Sequence, residues 1–172
     1  MLGLLATPMA ARADVTAFLG VSPTPGLRLG RGAAAGAGLV VVAFEVEAAQ
    51  LLERAEDGEP GLVTGMANLL VQTPLDLSGM QFYATAGAGF YRERLGAHQE
   101  TNGGANIGGG VKVGVAGPLK LRLDYRLFRL RGAPLHSTYH RLYAGATLGF
   151  WRRRPDQRAS PAGPATLPGA TP

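Results

Sequence analysis

The chain has 172 residues, a length that suits one domain with a full-sized core, and it carries 26 Gly, 12 Pro and only 17% charged residues with a formal balance of +5. That glycine and proline content disfavours long helices. The absence of cysteine excludes a disulfide framework, a thiolate zinc site and a cysteine nucleophile. Apart from the run Arg152–Arg154, the basic residues are spaced singly, which makes a poor phosphate-binding stripe and argues against a nucleic-acid partner.

Residues 1–13 read as a removable signal peptide. LGLLATPMA is a short apolar run, and Ala11-Arg12-Ala13 has the small-x-small form of a signal-peptidase site, so the mature chain is expected to begin at Asp14. No Lys or Arg follows Met1. No stretch suits a membrane-spanning helix, which needs about 20 mostly apolar residues. Gly32 to Phe44 is uncharged but short and glycine-rich, and Pro60 to Leu75 is interrupted by Thr64, Asn68, Gln72 and Pro74. Membrane residence would therefore require a closed barrel.

Eight strand-like segments follow in order: 14–22, 27–37, 39–50, 61–73, 80–93, 104–116, 119–131 and 140–151. The third sets Val40, Val42, Phe44 and Val46 against Val41, Ala43, Glu45 and Glu47. The fifth sets Phe82, Ala84, Ala86, Ala88 and Phe90 against Tyr83, Thr85, Gly87, Gly89 and Tyr91. In the sixth, Ile107, Val111, Val113 and Val115 oppose Gly108, Gly110, Lys112 and Gly114. The seventh, LKLRLDYRL, has the plainest alternation: Leu119, Leu121, Leu123, Tyr125 and Leu127 against Lys120, Arg122, Asp124 and Arg126. A period of two places these sets on opposite faces of a strand. The eighth opposes Leu142, Ala144, Ala146, Leu148 and Phe150 to Arg141, Tyr143, Gly145, Thr147 and Gly149.

Which face is inside decides the function. In a soluble barrel the leucines fill the core; in an outer-membrane barrel they meet lipid and the charges face the lumen. Three features favour lipid outside. The segments approach the roughly 9–11 residues a tilted spanning strand needs, where soluble strands average about 5–6. The connectors alternate short (Gly38, Pro74–Gly79, Gly117-Pro118) and long (51–60, 94–103, 132–139), as periplasmic turns and outer loops do. Glycine faces the side opposite the apolar residues, as a narrow interior requires. After Trp151 the alternation stops, and the Pro/Ala-rich 152–172 reads as a disordered tail.

These residues resemble the small outer-membrane β-barrel family, the OmpA/opacity-protein-like group. The resemblance spans roughly Asp14 to Phe150 and rests on VVVAFEVEAA, GMANLLVQTP, FYATAGAGFYRE, GANIGGGVKVGV, KLRLDYRLFRL and YAGATLGF. It implies an all-β, eight-stranded antiparallel up-and-down transmembrane barrel over 14–151 in the bacterial outer membrane. It also implies a terminal aromatic, Phe150, read by the barrel-assembly machinery. The departures from the family pattern are the tail that follows this aromatic and the thin aromatic girdles, with Phe, Trp and Tyr at only 7%.

Lumenal placement is expected for Glu45, Glu47, Lys112, Lys120, Arg122, Asp124, Arg126 and Arg141. An outward Lys or Arg at the bilayer midplane would cost about 2–4 kcal/mol. Inside a narrow lumen these groups must pair, because an isolated buried ion is very costly. The expectation is a plug of ion pairs, with Glu47–Arg122 as one candidate pair. The three histidines offer weaker chemistry. His136 and Ser137 are adjacent without a following acid, unlike the spacing of a lipid A deacylase, and a nucleophile needs both a base and an orienting partner. His98, His136 and His140 lack metal-site spacing, and NGGANIGGG lacks the strand–turn–helix and lysine of a phosphate cradle. The reading is a non-enzymatic outer-membrane barrel, without catalytic, cofactor or metal residues. Its partners are outer-membrane lipid and an unidentified ligand of the loops, and its role is in envelope integrity or surface interaction. The alternatives are a lipid-modifying barrel enzyme and a soluble lipocalin-like carrier.

Overall fold

The computed structural model describes residues 12–23, 26–53, 60–73, 79–95, 98–131 and 138–151. They form eight strands: β1 (Arg12–Ser22), β2 (Arg28–Gly38), β3 (Val42–Leu51), β4 (Gly61–Gln72), β5 (Met80–Leu95), β6 (His98–Ala116), β7 (Leu119–Leu130) and β8 (Thr138–Trp151). Each pairs antiparallel with its sequence neighbours, and β8 closes on β1. Closure removes every strand edge, the condition for a sheet to cross a bilayer. Most of the expected signal peptide (1–11) and the tail 152–172 lie outside the described residues. Arg12 and Ala13, expected to be removed with the leader, are the first residues of β1 and pair with Gly38 and Ala37.

The register fixes the shape. Hydrogen-bonded partners can be followed round the ring from Arg12 through Gly38, Ala43, Leu70, Thr85, Gly108, Arg126 and Arg141. The path returns to β1 beside Ser22, ten residues from its start. Strand number and stagger together set the tilt, about 35–45° for such a barrel. An eleven-residue strand such as β1 then rises about 25–30 Å, close to the roughly 25 Å apolar band of outer-membrane barrels.

One end carries tight turns and both ends of the barrel's chain. Leu39 to Val42 close a turn in which the Leu39 N–H donates to the Val42 carbonyl at 2.7 Å. Gly117-Pro118 joins β6 to β7 with two residues, and Gly117 takes φ 52°, the left-handed value such a hairpin favours. A bulge between Gly114 and Ala116 precedes it. This is the turn end; the opposite end is the loop end.

The structure differs from the sequence reading at 94–103. That segment, expected to be a polar loop, is strand: β5 and β6 stay in register up to Leu95 and His98, leaving only residues 96–97 between them. At 16 and 19 residues these strands outrun the others and carry the ladder beyond the apolar belt. A ribbon that meets water on both faces lacks an apolar side, so its sequence resembles a loop. Of the other long connectors, 54–59 and 132–137 lie outside the described residues.

Candidate functional site: the charged lumen

Along β7 the two faces separate cleanly. Leu121 and Leu123 are 55% and 56% exposed, whereas Arg122, Asp124 and Arg126 are 4%, 3% and 0% exposed. The same parity holds in every strand: Leu19, Phe44, Val46, Phe90, Ile107, Leu148 and Phe150 point outward. An apolar exterior running round the whole barrel far exceeds the few hundred Å² that a water-soluble monomer tolerates. Lipid is its matching solvent, and the carrier alternative, which needs the leucines inside, is excluded by this orientation.

Three carboxylates and three guanidiniums meet at mid-lumen. Arg122 pairs with Glu45, and its Nη2 lies 2.7 Å from Asp124. Arg126 sits at the hub: Nη2 is 2.8 Å from Glu45 and 3.2 Å from Asp124, and Nη1 is 2.7 Å from Glu47. Arg141 approaches Glu47 at 3.7 Å. β3 and β7 stand four strands apart in a ring of eight, so the pairs of Arg122 and Arg126 with Glu45 and Glu47 cross the full bore. Formal charge balances within the cluster, which is how so many ions can leave bulk water together.

Neutral groups complete the network. The Tyr83 hydroxyl donates to Asp124 at 2.6 Å and accepts from Arg122 Nε at 2.7 Å. The Tyr143 hydroxyl donates to Glu47 at 3.0 Å and accepts from Arg141 Nη1 at 2.6 Å. Asn106 donates to Asn68 at 2.8 Å. Among the described residues Arg141 Nε and Nη2 have no acceptor, but the guanidinium lies 4.1 Å from the centroid of Phe128.

The inward glycines make room for these side chains. A Cβ on Gly110 would strike the Tyr83 hydroxyl, and one on Gly32 the Phe18 ring. Above the charged cluster the lumen turns apolar: Leu51, Leu62, Met66, Tyr91, Phe128, Leu130 and Tyr139 pack together at the loop end. Below it, at the turn end, is a cavity of about 190 Å³ lined in part by Asp14, Gln72, Gln81, Lys112 and Lys120.

Of the eight charges expected in one network, Glu45, Glu47, Arg122, Asp124, Arg126 and Arg141 come together. The candidate pair Glu47–Arg122 does not form, because Arg122 engages Glu45 and Asp124 while Glu47 faces Arg126 and Arg141. Lys112 instead pairs with Asp14 at 2.5 Å near the lower mouth, and Lys120 lines the cavity there. Tyr83, Tyr143 and Phe128 lie on the inward faces that the alternation marks without being singled out by it, and Asp14 lies on β1, where no alternation is drawn. His136 and Ser137 lie outside the described residues. His140 faces outward, its Nδ1 2.6 Å from the Tyr125 hydroxyl. Among the described residues no group of three His, Asp or Glu side chains is arranged to hold a metal.

Closed eight-strand topology, a lipid-facing belt and a charged, filled bore define a transmembrane barrel of the small outer-membrane type. Solved structures agree on the fold. The N-terminal β-barrel domain of Pseudomonas aeruginosa OprF matches with TM-score 0.63 at 13% identity, over 81% of this chain and 97% of that one. Neisserial surface protein A matches with TM-score 0.63 at 19% identity, over 84% and 98%. Ail, the attachment invasion locus protein of Yersinia pestis, solved with the heparin analogue sucrose octasulfate, matches with TM-score 0.56 at 12% identity, over 83% and 99%. No protein-family model matches the chain, and no curated protein matches it in sequence.

Proposed function

We propose that this chain is a non-enzymatic protein of the bacterial outer membrane whose lumen is closed. It acts in envelope integrity or through contacts made by the loop end outside the cell. The observation that carries the reading is the neutral six-charge cluster across the bore, with an apolar layer stacked on one side of it. A pore needs a continuous wetted path; here the inward side chains of opposite strands touch. Contacts with the surroundings are then left to the loop end, where β5 and β6 extend past the belt. The names of the Neisserial and Yersinia fold neighbours, a surface protein and an attachment protein, fit such a role.

Planar-bilayer recording on the purified, heat-modifiable barrel tests closure. The expected record shows no large steady conductance, and an ohmic open channel would overturn the reading. Lipid A mass spectra from cells with and without the protein test the absence of catalysis; the expected spectra are identical, and a new acyl or headgroup mass would move the assignment to a lipid-modifying enzyme.

A further inference from the structure

The outward charges are distributed unevenly. Among the described residues, strand positions facing outward at the turn end carry no charge. At the loop end they carry Arg31, Arg92, Arg94 and Arg129, and Arg131 continues the outward register of β7. Every one is an arginine. Four of them form two pairs on either side of β6: Arg92 and Arg94 on β5, Arg129 and Arg131 on and just beyond β7.

Between the two pairs β6 presents Ala105, Gly103 and Thr101 outward, with Gln99 above them beside Arg94. At Gly103 the space is open, since a Cβ there would meet only the Gly89 carbonyl oxygen, at 3.9 Å. Both walls are anchored. Arg92 Nε donates to Thr101 Oγ1 at 3.2 Å. The Arg131 N–H donates to the Gly103 carbonyl at 3.1 Å, and its carbonyl accepts from the Tyr91 hydroxyl at 2.7 Å. Arg92 lies beside Thr101 and Arg131 beside Gly103, so their backbones stand two strand spacings apart, about 10 Å, and about 7 Å along the strand. Two arginine side chains can close that span on one anion. No carboxylate among the described residues forms an ion pair with any of the four arginines. Glu100 falls on the opposite face of β6 and accepts from Asn102, and Glu93 faces inward to Tyr139. Directly below the cleft, on the same outer surface, are Phe90, Ile107 and Leu127.

The geometry points to a binding cleft for a phosphorylated lipid headgroup of the outer leaflet, clamped between Arg92 and Arg131 over Gly103, with its acyl chains lying on Phe90 and Ile107. This deepens the proposed function and rests on the membrane reading within it. Planar guanidiniums match phosphate oxygens bidentately. The apolar surface immediately beneath favours a lipid over a soluble polyanion, which would have no use for Phe90 and Ile107.

The test is retention of lipid by the detergent-purified, full-length barrel, read by native mass spectrometry. The probes are diphosphorylated lipid A and the same lipid with its phosphates removed, with soluble heparin as a third. Wild type is expected to retain the phosphorylated lipid preferentially. The double variant R92Q/R131Q is expected to lose roughly twenty-five-fold, about fivefold per arginine. Gly103→Trp, which leaves all charges in place, is expected to lose most of the preference by filling the cleft. If that variant loses heat-modifiable migration, Ala105→Phe provides the same blockade lower down. Equal retention of the two lipids by a barrel that still shows heat-modifiable migration would overturn the cleft and leave the proposed function standing. So would Gly103→Trp and Ala105→Phe both behaving as wild type, because the attraction would then be diffuse. Heparin binding lost in R92Q/R131Q, with no lipid preference, would replace the lipid by a soluble polyanion. Failure of the wild type to show a heat-modifiable barrel at all would overturn both.

Discussion

The middle and the loop end of the lumen are built by the same strands on the same face, yet they are filled by opposite chemistries. On β7 the inward residues run Arg122, Asp124, Arg126 and then Phe128 and Leu130, all at or near zero exposure. The lower three are held by directional bonds to specific partners on β3 and β5. The upper two are held by non-directional contact with Leu51, Leu62, Met66, Tyr91 and Tyr139. An apolar plug tolerates changes of shape and gains from each buried methylene, about 0.8 kcal/mol. A charged plug tolerates neither a lost partner nor a changed angle. The bore is thus filled by two layers that differ in kind, and the two should fail differently.

The largest effect is expected from Arg126→Met, which leaves Glu45, Glu47 and Asp124 facing one another without their shared cation. Breaking a buried ion pair costs about 3–5 kcal/mol, read as a lowered urea midpoint for unfolding from lipid. Phe128→Ala is expected to cost about 3 kcal/mol through the cavity it leaves. The two changes separate in how they are repaired: filling the gap with Leu at 128 should recover much of the loss. Lys at 126 should recover less, because it cannot reproduce contacts to three carboxylates at once. The layers also touch, since Arg141 lies over the Phe128 ring. A double-mutant cycle with Arg141→Lys and Phe128→Leu should return a coupling of about 0.5–2 kcal/mol; a value of zero would make the layers independent. The smallest effect is expected at the lower mouth. Asp14 is a quarter exposed beside Lys112, so Asp14→Asn should cost about 1 kcal/mol or less and should be the one change that high salt masks.

How much of this was legible in the sequence follows from what each pattern encodes. Period-two alternation across a lipid boundary is a strong signal, because a one-residue slip would place Arg122 and Arg126 in hydrocarbon. All eight strands were therefore readable, and so were the inward faces of β3, β5, β6, β7 and β8. Height in the barrel was not. Whether Arg122 meets Glu45 or Glu47 depends on the stagger accumulated over the strands between β3 and β7, which no single segment contains. For the same reason Asp14 was missed as the partner of Lys112, 98 positions away on a strand that is not its neighbour. Tyr83 and Tyr143 had a signal that was available but indirect: glycines at 110 and 20 mark where a large neighbour lies across the sheet. The β5–β6 ribbon beyond the belt was unreadable as strand because Arg94, Gln99 and Thr101 have no apolar face to alternate with.

Which side of β7 meets hydrocarbon decides the orientation of the whole barrel. Nitroxide labels placed singly at residues 119 to 127 of the reconstituted barrel would report it through collisions with dissolved oxygen and with a water-soluble nickel chelate. Oxygen access should peak at 121, 123 and 125, with labels at 122, 124 and 126 shielded from both reagents. Preferential access of the nickel chelate at 121 and 123 would mean that water, not lipid, bathes those positions, and the arrangement described would be inside out.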